Sequence, residues 1–332
     1  ACIAAAAALL AVLAMALAAT GFYARWATAV TVGDIKVSAA TYSCYFSKAY
    51  AEISSVFSMT GGESLESYYD EATGSDWRDL VKGQADAAIQ SDYAVAAEAR
   101  KAGWTLRPED QAAVEEETAL IKSMAESDGY ADADSYLAAT VGAGCNLDTY
   151  QKFVETVKLA ESYRNAYRTG LTFDQSEIQA AYEASPETFD MATFRSFYYA
   201  GSGQEQAEEA ASKVTDEASF AQMARDYASA DEQQTYADDG ATLQTMLVSR
   251  LNEGNRAWLT DPARAYGDVG TVAYKDAGYF ILFYIGLNQD EAARDQAVEE
   301  RLREQTYEQW TAQLTEDYPL KRHWFGMAGI AQ

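Results

Sequence analysis

Proline is scarce in this chain, with only four among 332 residues. Proline lacks a backbone N–H and blocks the interior of a helix, so its scarcity leaves long stretches free to be helical. Many of these stretches are rich in Ala, Glu and Gln, which favour helix. A chain of this length is expected to form about two domains. The sequence therefore predicts a mostly α, α+β protein.

The charge and the histidine count exclude several functions. The chain has 25 Lys and Arg against 51 Asp and Glu, a formal net charge of -26, so a nucleic acid would be repelled. The only histidine is His323, so no site within this chain holds two imidazoles. No CxxC pair and no Gly-rich phosphate loop is present. We expect no cofactor, no metal and no nucleic-acid partner.

An uncharged apolar stretch opens the chain. Residues 1–19 are almost entirely Ala, Leu, Val, Ile and Met, a length that can span a bilayer as a helix. The triplet at 16–18 also fits the small-x-small pattern of a cleaved signal peptide. Residues 1–26 therefore predict a signal peptide or a membrane anchor, and both remain open. An anchor would hold the protein to the cytoplasmic membrane through residues 1–24.

The acidic remainder of the chain indicates where the protein works. Because it follows the leader, we expect residues from about 27 onward on the extracytoplasmic face of the cell membrane, or exported if the leader is cleaved. Extracytoplasmic compartments are oxidising, so cysteines there can form disulfides. Cys2 lies in the leader, which leaves Cys44 and Cys145 as a possible disulfide or as two buried thiols.

Apolar residues recur at helical spacing over much of the first half of the chain. One stripe contains Val114, Ile121 and Met124, and another contains Phe153 and Val157. We interpret both stripes as parts of the core.

From about residue 191 the pattern changes to a mixture of strands and helices. Runs that favour strand at 194–199, 269–274 and 279–285 accompany helical stretches at 207–214 and 220–227. This mixture indicates a compact α+β module. A charged helix follows residue 288, with an apolar stripe at Val298, Leu302, Trp310 and Leu314.

Several short stretches stand in an informative order, at 32–38, 103–110, 178–183, 218–227, 239–243 and 266–270. In this order they resemble the SurA/PrsA-type exported foldases. In that family, a helical chaperone region surrounds a parvulin (PpiC) type peptidyl-prolyl isomerase domain. The second of these stretches is similar to the family's link between helices. The last two are similar to the Gly-Gly-Asp-Leu-Gly and Pro-Gly-x-hydrophobic-Ser turns of parvulins.

The resemblance implies four parts. Residues 1–26 would be the leader, 27–190 a helical SurA_N-like chaperone domain and 191–287 a degenerate parvulin-like domain. Residues 288–322 would form a C-terminal helix that packs on the helical domain. The expected architecture is thus a helical domain formed by both chain ends, with the parvulin-like domain inserted.

The resemblance also implies where a parvulin cleft would lie. Its family positions fall on Ser196, Asp231, Leu243, Met246, Trp258 and Phe280. Active parvulins carry one His in the first strand and another after Gly-Tyr in the last strand. Ser196 and Phe280 occupy these two positions, so both family histidines are absent and we expect no catalytic residue.

The implied function is an extracytoplasmic chaperone or foldase that binds unfolded or newly exported polypeptides, with isomerase activity lost. Two alternatives stay open. One is a weak peptidyl-prolyl cis-trans isomerase that acts on exported proteins through shape and desolvation alone. The other is a surface structural or adhesion protein without a client.

Overall fold

The computed structural model describes residues 21–56, 65–70, 74–201, 203–275, 277–328 and 330. Most of the predicted leader lies outside the described residues. The chain divides into two compact units, one with limits 1–171 and 306–332 and the other with limits 172–305. Within the described residues, we find no helix whose length and hydropathy would let it cross a membrane.

The first unit, called the helical unit, is built mainly from long helices. Its elements before Leu171 are α1 (Phe22–Trp26), β1 (Thr28–Val32), β2 (Ile35–Ser38), α2 (Ala39–Val56), β3 (Tyr68–Asp70), β4 (Ser75–Asp76), α3 (Trp77–Lys101), α4 (Pro108–Ser127), α5 (Ala133–Thr140) and α6 (Leu147–Gly170). From Thr306 it contains the end of α12 (Glu291–Asp317), then β9 (Leu320–Arg322) and α13 (Trp324–Met327).

A three-stranded sheet joins the two ends of the described chain. Its order is β2-β1-β9, and both pairings are antiparallel. Val30 pairs with Val37 on one side and with Arg322 on the other. Val30, Val32 and Val37 are buried beneath the helices. The last strand therefore completes a sheet that the first strands begin.

Aromatic and aliphatic side chains from several helices fill the core of the helical unit. Tyr42, Tyr45, Ile89 and Leu137 are all at most 1% exposed. The end of α12 adds Leu314, which packs against Ala94, Val95 and Ala160 in a smaller cluster. Next to it, the rings of Tyr167 and Trp310 stack with centroids 4.0 Å apart.

The second unit, called the sheet unit, surrounds a four-stranded antiparallel sheet of order β6-β5-β8-β7. Its elements are α7 (Gln175–Ala184), α8 (Pro186–Phe189), β5 (Met191–Tyr199), α9 (Gln204–Ser212), α10 (Glu217–Tyr227), β6 (Leu243–Leu247), α11 (Glu253–Leu259), β7 (Val269–Tyr274), β8 (Gly278–Leu287) and the first part of α12. Three short 3-10 helices lie between α10 and α11.

Each face of this sheet has its own apolar cluster, because successive side chains of a strand point to opposite faces. On one face Phe197 and Phe283 meet Phe220 of α10. On the other face Phe194 and Leu282 pack with residues of α11. The small antiparallel sheets and the dominant helices confirm the predicted mostly α, α+β class.

The unit limits differ from the limits expected from the sequence, 27–190, 191–287 and 288–322. Helices α7 and α8 belong to the sheet unit, where Ile178 and Phe189 pack against Val298 of α12. The hydroxyl of Tyr182 donates to Asp190 over 2.8 Å, directly before β5. The C-terminal helix is divided at 305/306. Contacts between residues more than 100 positions apart set these limits.

Candidate functional site

The helical unit contains a groove of about 480 Å³ between α2, α4, α5 and α6. Its apolar wall is formed by Ile121, Met124, Leu137, Val141, Phe153 and Val157. This volume falls within the range of about 300–1,000 Å³ that is usual for ligand sites in proteins. The groove is therefore large enough to receive several apolar side chains.

The groove corrects part of the sequence interpretation. Helical spacing assigns Ile121 and Met124 on α4 and Val157 on α6 to the core, yet they line an open surface. Met124 is 41% exposed, and Ile121 and Val157 are partly buried. Helical spacing shows that these residues share a face, but only the packed helices show that the face is left partly uncovered.

Charged and polar groups surround the apolar wall. The Lys158 ammonium lies 3.7 Å from Glu117 and 3.7 Å from Glu161, and Lys48 lines the same groove. Burial, with a smaller contribution from Glu117, raises the pKa of Tyr150 to about 12. The Tyr150 side chain is thus a neutral hydroxyl at physiological pH. The rim carries both signs of charge around an apolar floor.

The residues of this groove are suited to binding rather than to covalent chemistry. The Cys44 thiol lines it, but a hydrogen bond with Cys145 and burial hold its pKa well above the usual value. It therefore stays protonated and is a poor nucleophile. Across the part of the chain that the structure describes, no group of three or more His, Cys, Asp or Glu could hold a metal ion.

The residues expected for a parvulin cleft are partly brought together. Met246, Trp258 and Phe280 pack in the cluster formed on the α11 face of the sheet. Ser196 is two residues after Phe194 on β5, so its side chain is directed to that same face, and it is 8% exposed. Four of the six family positions thus share one face.

This face of the sheet is filled by its own aromatic rings. Trp258 lies so close to Gly270 that a Cβ added there would come within 2.4 Å of the indole nitrogen. The guanidinium of Arg264 lies over the indole of Trp258, 4.4 Å from the ring centroid. The Phe280 ring lies 5.2 Å from that of Tyr274. Aromatic rings therefore pack around Phe280 on this face of the sheet.

The other two expected residues lie apart from this cluster. Asp231 is exposed in the turn that follows α10. Leu243 is 45% exposed at the start of β6, three residues before Met246 and therefore directed to the opposite face. The irregular segment between α10 and β6 offers no periodicity from which these placements could have been predicted.

The sequence reasoning missed Arg195, which organises the segment before β6. Its side chain is 12% exposed, and its Nε donates to Glu217 over 2.9 Å. Its Nη1 donates to the carbonyl of Asp239 over 2.7 Å and to the Thr242 hydroxyl over 2.9 Å. An isolated basic residue within an aromatic strand was the available signal. Through these hydrogen bonds, Arg195 anchors the segment before β6 to strand β5.

No protein-family model matches the chain, and no curated protein matches its sequence. Among solved structures it is similar to the foldase PrsA from Streptococcus pneumoniae, with 15% identity, 77% of this chain and 91% of that chain covered, and a TM-score of 0.32. It is similar to the peptidylprolyl isomerase PrsA from Bacillus anthracis, with 12% identity, coverage of 69% and 94%, and a TM-score of 0.26.

A structure of SurA-like chaperones from Campylobacter jejuni is also similar, with 13% identity, 88% of this chain and 96% of that chain covered, and a TM-score of 0.25. These solved structures are PrsA and SurA-like proteins, the group that the sequence resemblance predicted.

Proposed function

We propose that this protein is an extracytoplasmic chaperone that binds unfolded or newly exported polypeptides in the groove of the helical unit. The observation that carries the proposal is the apolar groove of about 480 Å³ in which Met124 is 41% exposed. An unfolded chain exposes apolar side chains, and their removal from water favours binding. Methionine adapts to differently shaped partners, which suits a site that accepts many sequences.

The charges support the same function. The mixed rim of Lys48, Lys158, Glu117 and Glu161 leaves the polar backbone of a client close to groups of both signs. The net charge of -26 favours solubility of a protein with an exposed apolar groove. A strongly acidic client is repelled, so we expect neutral and basic clients to bind more tightly.

We further infer that the sheet unit is a degenerate parvulin-like domain without isomerase activity. Rotation about a prolyl bond has a barrier of about 18–20 kcal/mol, which an isomerase lowers in a shaped pocket with fixed hydrogen-bonding groups. Here Ser196 and Phe280 stand at the two family histidine positions. The packing of Trp258 and Phe280 supports the inference, because it leaves the α11 face of the sheet filled by the protein's own rings.

The location of the protein is part of the proposal. The leader 1–26 would carry the chain out of the cytoplasm and hold it at the membrane if it is not cleaved. At its C-terminal end, Phe22 and Trp26 are 47% and 75% exposed, and near the other end of the chain Trp324 and Phe325 are 82% and 56% exposed. Exposed aromatic rings are typical of the membrane–water interface. Recovery of the full chain in the soluble fraction of lysed cells would contradict an anchored state.

The chaperone proposal is tested by placing a charge in the groove. We expect the full chain to suppress aggregation of an unfolded test protein at stoichiometric amounts, and Met124→Glu to lose more than half of this effect. A carboxylate on the apolar wall must be desolvated when a client binds. The measurement is light scattering during refolding of the test protein from denaturant.

Leu120→Glu is the matched control, because Leu120 is 57% exposed on the same helix but does not line the groove. It should suppress aggregation as well as the unmodified chain. Equal losses in the two variants would place binding outside the groove. A chain that suppresses no aggregation at all would support the structural or adhesion alternative.

The isomerase alternative is tested with a short proline peptide in a protease-coupled assay. We expect the cis-to-trans rate in the presence of this protein to equal the uncatalysed rate, because neither family histidine is present. Turnover well above that rate, lost in Trp258→Ala, would instead support a weak isomerase that acts through shape and desolvation.

A further inference from the structure

Two thiols meet inside the helical unit. Cys44 lies on α2, and Cys145 lies 101 residues later, in the turn between α5 and α6. Their Sγ atoms are 3.3 Å apart, and the residues are 3% and 1% exposed. Both belong to the main core cluster of the unit. Two side chains so distant in sequence are thus held in direct contact.

Glycines allow the turn to come this close to α2. Gly142 and Gly144 have positive φ values of 145° and 89°. A Cβ on Gly142 would lie 3.2 Å from the Ser43 hydroxyl oxygen, and one on Gly144 would lie 2.6 Å from the Gly21 carbonyl oxygen. Larger residues would push the turn outward and separate the thiols. The backbone just before Cys145 is therefore adapted to hold it against Cys44.

We propose that Cys44 and Cys145 are the site of a disulfide that closes the helical unit beside the groove. The two thiols lose two protons and two electrons and form one S–S bond. The oxidant is a disulfide of a thiol oxidoreductase or of oxidised glutathione, which takes up these electrons and protons and leaves as two thiols. Extracytoplasmic compartments supply such oxidants. The sulfurs move roughly 1.3 Å closer to reach the bond length of about 2.05 Å.

The surroundings of the pair determine when the bond forms. Contact with Cys145 and burial keep the Cys44 thiol protonated, whereas thiol–disulfide exchange requires a thiolate. Exchange is therefore slow in the folded protein. The bond forms while the chain folds after export, and once formed it is shielded from reductants.

The disulfide also holds the walls of the groove in place, and this part of the inference rests on the proposed function. Cys44 itself lines the groove, as do Thr140 and Val141, which precede the turn that carries Cys145. A bond between Cys44 and Cys145 ties the α2 wall to the segment that follows α5. Walls held at a fixed separation lose less conformational freedom when a client binds, which increases affinity.

The bond is tested on the full chain, purified without reductant and refolded in a glutathione redox buffer. Digestion should release one cross-linked peptide pair containing Cys44 and Cys145, lighter by two hydrogens than the separate peptides. Cys2→Ala should keep this pair, and Cys145→Ala should lose it. Alkylation of both core cysteines after denaturation of the unreduced protein would overturn the proposal.

Two further measurements compare the oxidised chain with the chain reduced in denaturant and refolded. The oxidised form should melt about 5 °C or more higher. It should also bind a fluorescent peptide rich in Leu and Phe about threefold more tightly. The Cys44→Ala/Cys145→Ala variant should have the same melting temperature and the same peptide affinity under oxidising and reducing conditions.

The outcomes separate this proposal from the proposed function. A cross-link that changes neither the melting temperature nor the affinity would overturn the assigned role. A cross-link that raises the melting temperature, in a protein that binds no peptide in either state, would support the disulfide and contradict the chaperone function.

Discussion

Two side chains, those of Ser196 and Phe280, set the chemical character of one face of the sheet in the sheet unit. Ser196 carries a small hydroxyl on the α11 face of β5, and Phe280 places a ring on the same face from β8. Neither side chain titrates near neutral pH, and the Phe280 ring packs against the rings of Tyr198 and Tyr274. At the residue scale, aromatic packing and the small Ser196 hydroxyl therefore characterise this face of the sheet.

A second informative pair lies in the core of the helical unit. Asp92 accepts a hydrogen bond of 2.7 Å from Arg164, and the two side chains are 11% and 22% exposed. Burial raises the pKa of Asp92, although Arg164 opposes the shift. A carboxyl with a raised folded-state pKa takes up protons on folding, so its contribution to stability improves as the pH falls through that pKa.

Replacement of Arg164 should show how strongly the buried charge of Asp92 destabilises the folded protein. We expect Arg164→Met to lower the free energy of unfolding by about 3 kcal/mol at neutral pH, because it leaves a buried carboxylate without its partner. The deficit should be smaller at an acidic pH than at neutral pH, because protonation of Asp92 relieves the uncompensated charge. Urea unfolding at the two pH values measures both effects.

Arg303→Met is the control, since Arg303 pairs with Glu299 and Glu300, whose side chains are 35% and 60% exposed. Such a surface ion pair contributes about 0–1 kcal/mol. This account of Asp92 would be contradicted if both arginine variants lost similar amounts of unfolding free energy. It would also be contradicted if the loss in Arg164→Met did not depend on pH.

At the scale of elements, short polar residues fix where several helices begin. Asp76, Asp132 and Asn146 each accept a hydrogen bond from the backbone N–H three residues later. Asp174 does the same from Glu177, whose side chain accepts from the Asp174 backbone N–H over 2.8 Å. Asp174 and Glu177 together form a capping box at the start of α7. These interactions act within four residues, so a sequence can show them.

The cap of α7 is open to a direct test. We expect Asp174→Ala to lower the free energy of unfolding by about 1 kcal/mol, because the first backbone N–H groups of α7 lose their acceptor. Asp174→Asn keeps an acceptor and should stay within a few tenths of a kcal/mol of the original. Thermal or urea unfolding compares the two, and equal stabilities would show that the cap adds nothing.

At the scale of the whole molecule, one helix, α12, contributes buried residues to the cores of both units. The first part of α12 buries Val298 against Ile178 and Phe189, within the sheet unit. Its last turns bury Leu314 against Ala94 and Val95, within the helical unit. Val298 is fully buried and Leu314 is 6% exposed. The same sequence stripe therefore contributes to two separate cores.

Truncation at each end of the stripe should affect one unit at a time. We expect Leu314→Ala to cost about 2–5 kcal/mol and to lower hydrogen-exchange protection mainly in residues up to 171. Val298→Ala should cost roughly 2 kcal/mol and act mainly within 172–305. Exchange followed by mass spectrometry distinguishes the two. A uniform loss of protection along the chain in both variants would contradict the division into units.

The sequence by itself determined the helical character, the helix caps and the presence of a single histidine, because these depend on residue identity and on neighbours a few positions away. Only the tertiary structure decided that Met124, Val157 and Leu137 surround a groove, that Cys44 touches Cys145, and that α7 belongs with the sheet. Each of these depends on packing between residues far apart in the chain. Helical periodicity indicates which side chains share a face, whereas the faces of neighbouring helices decide how much of it is covered.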